Sequence, residues 1–305
     1  MIKRTQRRTA TRARKASSKP RALKTVRTVA ALRAAVAAFR KRGETVALVP
    51  TMGALHAGHL ALIVAAKKRC DRVVATIFVN PKQFGPREDF SRYPRTLAAD
   101  RKALAAIGVD VLFTPSVDAM YPADFTTTVV VAGLSDGLDG QFRPGHFAGV
   151  ATVVAKLLIQ AAPDVALFGE KDYQQLAIIK RLARDLDLPV RIEGVAIVRE
   201  RDGLALSSRN AYLSAEQRQA APALNRALVQ AASDVNRGNL EWPSIADTAI
   251  RAIRIAGFDR VDYVALCDAV TLEPVTTAAK SARILAAAWL GATRLIDNVA
   301  VSKKR

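Results

Sequence analysis

Cysteine, histidine and methionine are all scarce in this chain of 305 residues, which has 2 Cys, 3 His and 3 Met. Cys70 and Cys267 lie far apart and have no Cys-x-x-Cys spacing. This pattern argues against a disulfide framework and against a zinc site, and it fits a reducing environment. We therefore expect both thiols to be buried as small apolar groups and the protein to be cytoplasmic.

Long uncharged hydrophobic runs are also missing, although 50% of the residues are hydrophobic. Because Arg, Lys and Asp interrupt every apolar stretch before the roughly 18 residues that a membrane helix needs, we expect no membrane span. There is no Gly-x-x-x-x-Gly-Lys-[Ser/Thr] segment, which excludes a P-loop. No Gly-x-Gly-x-x-Gly follows the first predicted strand, which argues against a nicotinamide-dependent enzyme.

Acidic residues are absent from positions 1–27, which contain eleven Lys and Arg residues. This segment carries more than half of the formal net charge of +20, since the rest of the chain has 36 basic and 27 acidic residues. Without apolar periodicity, it is predicted to be a disordered basic tail. Three interpretations remain open: an organelle transit peptide, a nucleic-acid-binding arm, and a dispensable tail or misplaced start, which is the one that we favour.

Strand-like and helix-like segments alternate over 28–197. A helix over 29–41, a strand over 45–49, a helix over 60–68 and a strand over 72–79 come first, and the alternation continues to a strand over 190–198. This order predicts an α/β fold with a parallel sheet. Two helical segments (215–237 and 242–256) and three β-like runs follow, which predict a smaller C-terminal α/β domain over 198–305. The polar loop 82–95 is long enough to be a lid.

Two of the three histidines occur in a glycine-bearing turn between a predicted strand and a predicted helix. The segment is Pro50-Thr51-Met52-Gly53-Ala54-Leu55-His56-Ala57-Gly58-His59. The N–H groups and the positive dipole end of a helix N-terminus bind anions, and glycines let the backbone approach a ligand closely. The turn therefore predicts a phosphate site.

Other polar clusters follow the ends of further predicted strands. They are Asn80 with Gln83, Lys171 with Asp172, and Ser207-Ser208-Arg209 after a hairpin turn. Ligands of parallel sheets collect beyond the carboxyl ends of the strands. These donors and cations suit a polyphosphate, and the small number of candidate nucleophiles favours attack at a phosphoryl group, where catalysis is mostly positioning and charge stabilisation.

Several segments of the chain resemble the pantothenate synthetases in order and spacing. They cover 52–59, 78–84, 143–147, 168–175, 206–210, 287–291 and 294–298. The resemblance extends from about Thr28 to the end, and it implies a Rossmann-like nucleotidyltransferase core with a signature comparable to the His-Ile-Gly-His of class I aminoacyl-tRNA synthetases. The basic tail lies outside it. Ala57 and Leu206 stand where the family often has an acidic residue and a methionine.

The resemblance implies that pantoate, β-alanine and ATP give pantothenate, AMP and pyrophosphate through pantoyl adenylate. It assigns catalysis to His56, His59, Lys171 and Arg209, with His59 at the position of the family's proton donor. Pantoate and β-alanine would meet the neutral amides of Gln83, Gln175 and Asn80, which orient a carboxylate without strongly damping it. The implied ATP-binding residues are Met52, Gly53, Ala54, Leu55, His56, Ala57, Gly58, His59, Gly169, Glu170, Lys171, Asp172, Val198, Leu206, Ser207, Ser208 and Arg209.

Further implications concern the metal, the assembly and the loop. Mg²⁺ should bridge ATP oxygens, and Asp100 is a candidate protein ligand, although a solvated helix position is the competing interpretation. The family resemblance implies a homodimer. The loop 82–95 should close over the site and keep water from the acyl adenylate.

Alternative interpretations are kept for single residues and for the whole chain. His146 is interpreted as structural rather than catalytic, Asp172 as a possible helix cap, and either glutamine as a surface residue. A different nucleotidylyltransferase on the same fold would share the histidine signature. The basic charge and the synthetase-like signature would also suit an RNA-binding protein, with the tail as the expected point of contact.

Overall fold

Six parallel strands form the larger sheet of the computed structural model, which describes residues 22–86, 88–238, 241–277 and 281–301. The strands lie side by side in the order β1-β4-β3-β2-β5-β6. This arrangement confirms the predicted Rossmann-like α/β class. The strands are β1 (Lys24–Val26), β2 (Val46–Thr51), β3 (Arg72–Ile77), β4 (Val111–Phe113), β5 (Val165–Gly169) and β6 (Arg191–Val195).

Helices cover both faces of this sheet because alternate residues of each strand point to opposite sides. Val46 and Leu48 of β2 pack with α1, α6 and α7, whereas Ala47 and Val49 pack with α2 and α3. The helices of this region are α1 (Val29–Arg40), α2 (Ala57–Arg69), α3 (Leu97–Ile107), α4 (Val117–Met120), α5 (Asp139–Phe142), α6 (His146–Ala161) and α7 (Tyr173–Asp185).

The C-terminal part of the described chain has a smaller, antiparallel sheet and its own core. A single helix predicted over 215–237 is divided in two, because Pro222 lies at the junction and has no N–H to continue the helical hydrogen bonds. We call residues 22–198 the parallel-sheet region and 199–301 the antiparallel-sheet region. The latter contains α8 (Ala215–Ala220), α9 (Ala223–Arg237), α10 (Trp242–Ile255), β7 (Arg260–Asp268), β8 (Ala282–Leu290) and β9 (Thr293–Val301).

The predicted basic tail is too long at its C-terminal end. Lys24–Val26 forms β1, which pairs in parallel with β4, and Val26 is buried in the core. Strand pairing and burial of one apolar side chain therefore order a segment that has too few residues to show an alternating pattern. Positions 1–21 lie outside the described residues. Among the residues that are described, no helix combines the length and the apolar character that crossing a membrane requires.

The centre of the parallel sheet is a switch point. From β2 the chain continues to β3 on one side of β2, and it later returns to β5 on the other side. Connections that leave two adjacent strands in opposite directions open a crevice at the carboxyl ends of those strands. The turn with His56 and His59 follows β2, and the segment 169–172 follows β5.

Candidate active site

A cleft lies at this switch point and extends to the antiparallel-sheet region. Its empty volume, with the open mouth included, is about 1440 Å³, which is sufficient for a nucleotide together with a small acid. Most of the predicted site residues line it: Met52, His56, Gly58, His59, Asn80, Gln83, Gly169, Lys171, Asp172, Gln175, Val198, Leu206, Ser207, Ser208 and Arg209. We call His56 and His59 the histidine wall, and Lys171 with 207–209 the cation wall.

The two imidazoles of the histidine wall cap the helix that carries them. His56 is the N-cap residue of α2, and its Nδ1 accepts a hydrogen bond from the N–H of Gly58 at 3.1 Å. The Nδ1 of His59 accepts the N–H of His56 at 3.3 Å, and the ring centroids are 4.1 Å apart. A backbone donor at Nδ1 requires that the neutral ring carries its proton on Nε2. Each ring therefore offers an Nε2–H donor to the cleft.

Burial keeps both rings of the histidine wall neutral. The pKa of His59 is lowered to about 3, first by burial and then by the neighbouring His56. Burial also lowers the pKa of His56, and the charge of Lys171 lowers it further. At neutral pH the wall therefore consists of uncharged hydrogen-bond donors.

Asp100 supports the turn that precedes the histidines. Its carboxylate accepts the N–H of Ala54 at 3.0 Å and that of Leu55 at 2.9 Å, and the hydroxyl of Thr96 donates to it at 3.2 Å. The side chain is only 3% exposed. This burial contradicts the competing prediction of a solvated residue. Both carboxylate oxygens hold a turn in which Ala54 has a positive φ of 50°. Asp100 is not among the residues that line the cleft, and its role as a magnesium ligand stays a prediction.

Fewer backbone N–H groups of this turn are therefore available to a phosphate than the sequence predicts. The N–H groups of Ala54 and Leu55 donate to Asp100, and those of His56 and Gly58 donate to the imidazoles. These amides are used inside the turn, so the imidazole Nε2–H groups are the donors that the turn offers to a ligand. Gly53, Ala54, Leu55 and Ala57 contribute to the shape of the turn and are not among the residues that line the cleft.

Gln83 and Asn80 form a buried amide pair behind the cleft. The Nδ2 of Asn80 donates to the Oε1 of Gln83 at 3.0 Å and to the carbonyl of Gly149 at 3.1 Å. The hydroxyl of Tyr121 donates to Oδ1 of Asn80 at 2.8 Å. The Nε2 of Gln83 lies 3.1 Å from the sulfur of Met52. The polar atoms of Asn80 are thus used within the protein, and they fix the orientation of the Gln83 amide.

His146 is structural in its contacts, as expected. Its Nδ1 donates to the carbonyl of Gln83 at 2.8 Å, and its Nε2 accepts from Arg143 at 2.9 Å. The pKa of His146 is lowered to about 4, first by burial and then by the charge of Arg143. Arg143 also forms a two-pronged ion pair with Glu88, with both distances 2.7 Å. His146 therefore joins the start of α6 to the backbone of Gln83.

Lys171, Asp172 and Gln175 line the same cleft as the histidines. The ammonium of Lys171 is 3.6 Å from the carboxylate of Asp172. Burial alone would raise the pKa of Asp172, but Lys171 and Arg209 bring it below its usual value, so the group stays ionised. Asp172 stands at the N-cap position of α7, but its carboxylate accepts no capping hydrogen bond from the residues that the structure describes, so the predicted side-chain cap is not formed. Within the described residues, the Gln175 amide has no hydrogen-bond partner.

The other part of the cation wall is held by the loop 82–95. Two guanidinium nitrogens of Arg209 donate to the Asp89 carboxylate at 3.0 and 2.9 Å. The hydroxyl of Tyr212 donates to the carbonyl of Arg92 at 3.2 Å, and that of Ser208 donates to the carbonyl of Ala54 at 3.2 Å. The loop thus lies against the 207–212 segment at the rim of the cleft.

Glu170 differs from its predicted role, and Asp89 is a residue that the sequence reasoning missed. The Glu170 carboxylate is 3.4 Å from Arg283 of β8, and Glu170 is not among the cleft-lining residues. Asp89 had no detectable signal, because an acid in a polar loop has no periodicity or motif to distinguish it. Its role depends on Arg209, which is 120 positions away in the chain.

The sequence profile of the family described as pantoate-beta-alanine ligase matches residues 24–300. A pantothenate synthetase of Paramagnetospirillum magneticum is 59% identical over 276 residues, which are 90% of this chain and 97% of that protein. The pantothenate synthetase of Rhodospirillum rubrum is 55% identical over 282 residues, covering 92% of this chain and 100% of that protein.

Two solved structures of pantoate–β-alanine ligases are also similar to this chain. The crystal structure of pantothenate synthetase from Thermus thermophilus superposes with a TM-score of 0.86 at 48% identity, covering 92% of this chain and 99% of that chain. A pantoate-beta-alanine ligase from Francisella tularensis, crystallised with beta-gamma ATP and beta-alanine, has a TM-score of 0.77 at 34% identity, covering 91% and 97% of the two chains.

Proposed function

The chain belongs to the pantoate–β-alanine ligase family, and from this premise we propose that it condenses pantoate with β-alanine in an ATP-dependent reaction. A pantoate carboxylate oxygen attacks the α-phosphorus of ATP, and the bond from this phosphorus to the β-phosphate oxygen breaks, releasing pyrophosphate. The amine of β-alanine then attacks the acyl carbon of pantoyl adenylate and loses a proton to solvent, while the bond to AMP breaks. The observation that carries the proposal is the convergence of neutral imidazole donors, cations and amides on one cleft.

His56 and His59 stabilise the departing pyrophosphate as hydrogen-bond donors. A pKa of about 3 for His59 means that few molecules carry an imidazolium at neutral pH. A neutral ring that donates from Nε2 stabilises charge on a leaving oxygen without giving up its proton. This favours hydrogen bonding over literal proton donation at the position of the family's proton donor.

The cation wall holds the β- and γ-phosphates. Lys171, Ser207 and Arg209 supply positive charge and a hydroxyl to the cleft that the histidines also line. Gly169, Asp172 and Val198 border the ribose and the adenine, with Met52 between nucleotide and pantoate. Phosphoryl transfer needs little more than such positioning and charge stabilisation.

Gln83 and Gln175 bind pantoate. Both are neutral amides, so they orient the hydroxyl groups and the carboxylate while leaving the carboxylate nucleophilic. Asn80, predicted as a substrate ligand, acts here through Gln83, since its amide already has partners in the protein.

Mg²⁺ accompanies ATP in this proposal and is not held in a dedicated protein cage. The described residues contain no group of three or more His, Cys, Asp or Glu side chains suited to a metal ion. Mg²⁺ bound through nucleotide phosphates needs only one or two protein carboxylates. Asp172 is the carboxylate that borders the cleft beside Lys171 and would approach the ion. The ion would neutralise phosphate charge.

The division of the chain near Val198, the homodimer and the cytoplasmic location remain proposals. In the proposed division into two domains, the antiparallel-sheet region and the loop 82–95 together exclude water from the acyl adenylate.

Light scattering of the purified chain tests the proposed homodimer directly, and a mass equal to one chain contradicts it.

A two-stage assay tests the reaction. Release of pyrophosphate from ATP should require pantoate but not β-alanine. Release of AMP should require both pantoate and β-alanine. ATP–pyrophosphate exchange that ignores pantoate would overturn the proposal and favour a different nucleotidylyltransferase. The RNA-binding alternative predicts a salt-sensitive RNA affinity that disappears when residues 1–21, which precede β1, are removed. Ligase activity should survive that truncation.

A further inference from the structure

Asn298 connects the antiparallel-sheet region to the backbone of the cation wall. It lies in β9, and its side chain is 2% exposed. Its Nδ2 donates to the carbonyl oxygens of Glu170 and Lys171, both at 2.9 Å. If the Asn298 amide moved away from these two carbonyls, buried polar groups would lose their hydrogen-bond partners, which costs free energy. The contact therefore holds the side chain and the two carbonyls in one arrangement.

Arg283 of β8 holds Asn298 in place and touches the same turn. Its guanidinium donates to Oδ1 of Asn298, lies 3.4 Å from the Glu170 carboxylate, and stacks over the Tyr173 ring at 3.9 Å. The hydroxyl of Tyr173 donates to the carbonyl of Ala269 at 2.8 Å. The antiparallel-sheet region thus contacts residues on either side of Lys171.

The turn at 170–172 joins β5 directly to α7 in the parallel-sheet region. Residues 170–172 form a single turn of 3-10 helix that, within the described chain, has no side-chain capping bond at its start. The ammonium of Lys171 has the nearby Asp172 at 3.6 Å as its ion-pair partner. Fixing two successive carbonyls fixes the peptide planes that flank Lys171, and these planes set the direction of its Cα–Cβ bond, from which the ammonium reaches into the cleft.

We propose that Asn298 is a positioning residue: through the Glu170 and Lys171 carbonyls it directs the Lys171 ammonium at the ATP phosphates. This inference rests on the proposed role of Lys171 in ATP binding. It gives the antiparallel-sheet region a second contribution to the site, beside Ser207, Ser208 and Arg209, which that region itself supplies. A displacement of about 1 Å from the productive geometry can lower a reaction rate by as much as about 100-fold.

A double-mutant cycle between Asn298 and Lys171 tests the proposal. The variants are Asn298→Ala, Lys171→Ala and the double variant, and the readouts are the ATP dissociation constant from calorimetry and kcat and KM for pantoate-dependent exchange. We expect Asn298→Ala to weaken ATP binding and to raise KM for ATP about 10-fold. In the Lys171→Ala background the same change should have almost no further effect, because contacting residues that act together are not additive.

The matched control is Asn225→Ala in α9. Asn225 also donates an amide hydrogen bond, to Asp297 at 3.1 Å, but both partners lie in the antiparallel-sheet region. This variant should lower the melting temperature about as much as Asn298→Ala does, with unchanged ATP binding. If Asn225→Ala weakens ATP binding equally, general destabilisation explains the effect and the inference is wrong.

Asn298→Asp keeps the size of the side chain and an acceptor for Arg283 but removes the two N–H donors. It serves when Asn298→Ala does not fold, and it should show the same loss of ATP affinity. Additive effects of the Asn298 and Lys171 substitutions would overturn the inference. A different outcome is that the Asn298 and Lys171 substitutions have non-additive effects on ATP binding, but the wild type shows no pantoate-dependent exchange. That result would overturn only the proposed reaction.

Discussion

The two walls of the cleft are fixed by different kinds of contact. The histidine wall is positioned by its own helix cap and by Asp100, all inside the parallel-sheet region. The cation wall relies on distant segments: Asp89 of the 82–95 loop holds Arg209, and Asn298 of β9 holds the backbone at Lys171. The histidine wall is therefore positioned mainly by contacts within the parallel-sheet region, and one hydrogen bond from Ser208 to the Ala54 carbonyl joins its turn to the antiparallel-sheet region. The cation wall depends more fully on contacts between distant parts of the chain.

The two walls also differ in the charge of their side chains. Burial lowers the pKa of each histidine, and the opposing effect of the nearby Asp172 charge does not compensate for it. The cations keep their charge because carboxylates accompany them, and the Asp89 pair raises the pKa of Arg209 despite its burial. A transition state that builds negative charge thus meets neutral donors on one side and paired cations on the other.

Replacing His59 should have the largest effect, because it removes a preorganised hydrogen-bond donor from the histidine wall. His59→Ala is expected to lower the rate of adenylation by about 10²-fold or more, measured as pantoate-dependent ATP–pyrophosphate exchange. His59→Gln is the control, since its amide donates near the position of Nε2 and does not titrate. Partial recovery by glutamine supports hydrogen bonding, and a glutamine variant as slow as the alanine variant would support proton donation.

Arg209→Ala should come next in size. Loss of the guanidinium removes a phosphate-binding charge, and KM for ATP is expected to rise about 30-fold. Asp89→Asn leaves the Arg209 charge but removes its anchor, so we expect a change of about 3-fold. Initial rates against ATP concentration measure both. Equal effects of the two variants would show that anchoring, and not charge, is what the cation wall requires.

Gln83→Ala should weaken pantoate binding and leave ATP binding nearly intact. The amide is a substrate ligand in our proposal, and its removal is expected to raise KM for pantoate about 10-fold. Met52→Leu is the matched control, because it removes the sulfur beside Gln83 while keeping an apolar wall. A selective loss of ATP affinity in Gln83→Ala contradicts the assignment.

Local patterns predicted the parallel sheet and the polar clusters at the ends of its strands, whereas the family resemblance alone implied cleft-lining residues such as Met52, Gln175 and Val198. Alternating strands and helices place the carboxyl ends of β2 and β5 together, and the histidine turn and the Lys171 cluster are located there. The three-residue strand β1 is too short for such a pattern and lies in a basic segment. Its position depends on pairing with β4, which is a long-range contact.

The supporting residues were harder to predict for the same reason. Asp100 is separated from the turn that it holds by more than 40 positions, and only the packing of α3 brings the two together. The 294–298 segment was recognised in the family resemblance without a role. Asn298 acquires one only when β9 contacts the turn after β5. Local sequence thus predicts the groups that face a ligand better than the groups that position them.

The smallest expected effect is on stability, and it tests whether the histidine wall is neutral. The pKa of His59 is near 3 in the folded protein and close to 6.5 when unfolded, so the unfolded state binds more protons below about pH 6.5. Stability must therefore fall as the pH falls. Between pH 7 and pH 6 the expected loss from His59 alone is about 0.7 kcal/mol, while carboxylates remain ionised in both states.

Urea unfolding at pH 7 and pH 6 measures this loss in the wild type and in His59→Gln. The glutamine variant should lose less stability on acidification by about 0.7 kcal/mol, because glutamine does not titrate. Arg209→Gln is the control from the cation wall, and it should keep the pH dependence of the wild type, since a guanidinium stays charged throughout this range. An unchanged slope in His59→Gln would mean that His59 is protonated to the same extent in both states. The functional difference between a neutral and a charged wall would then no longer hold.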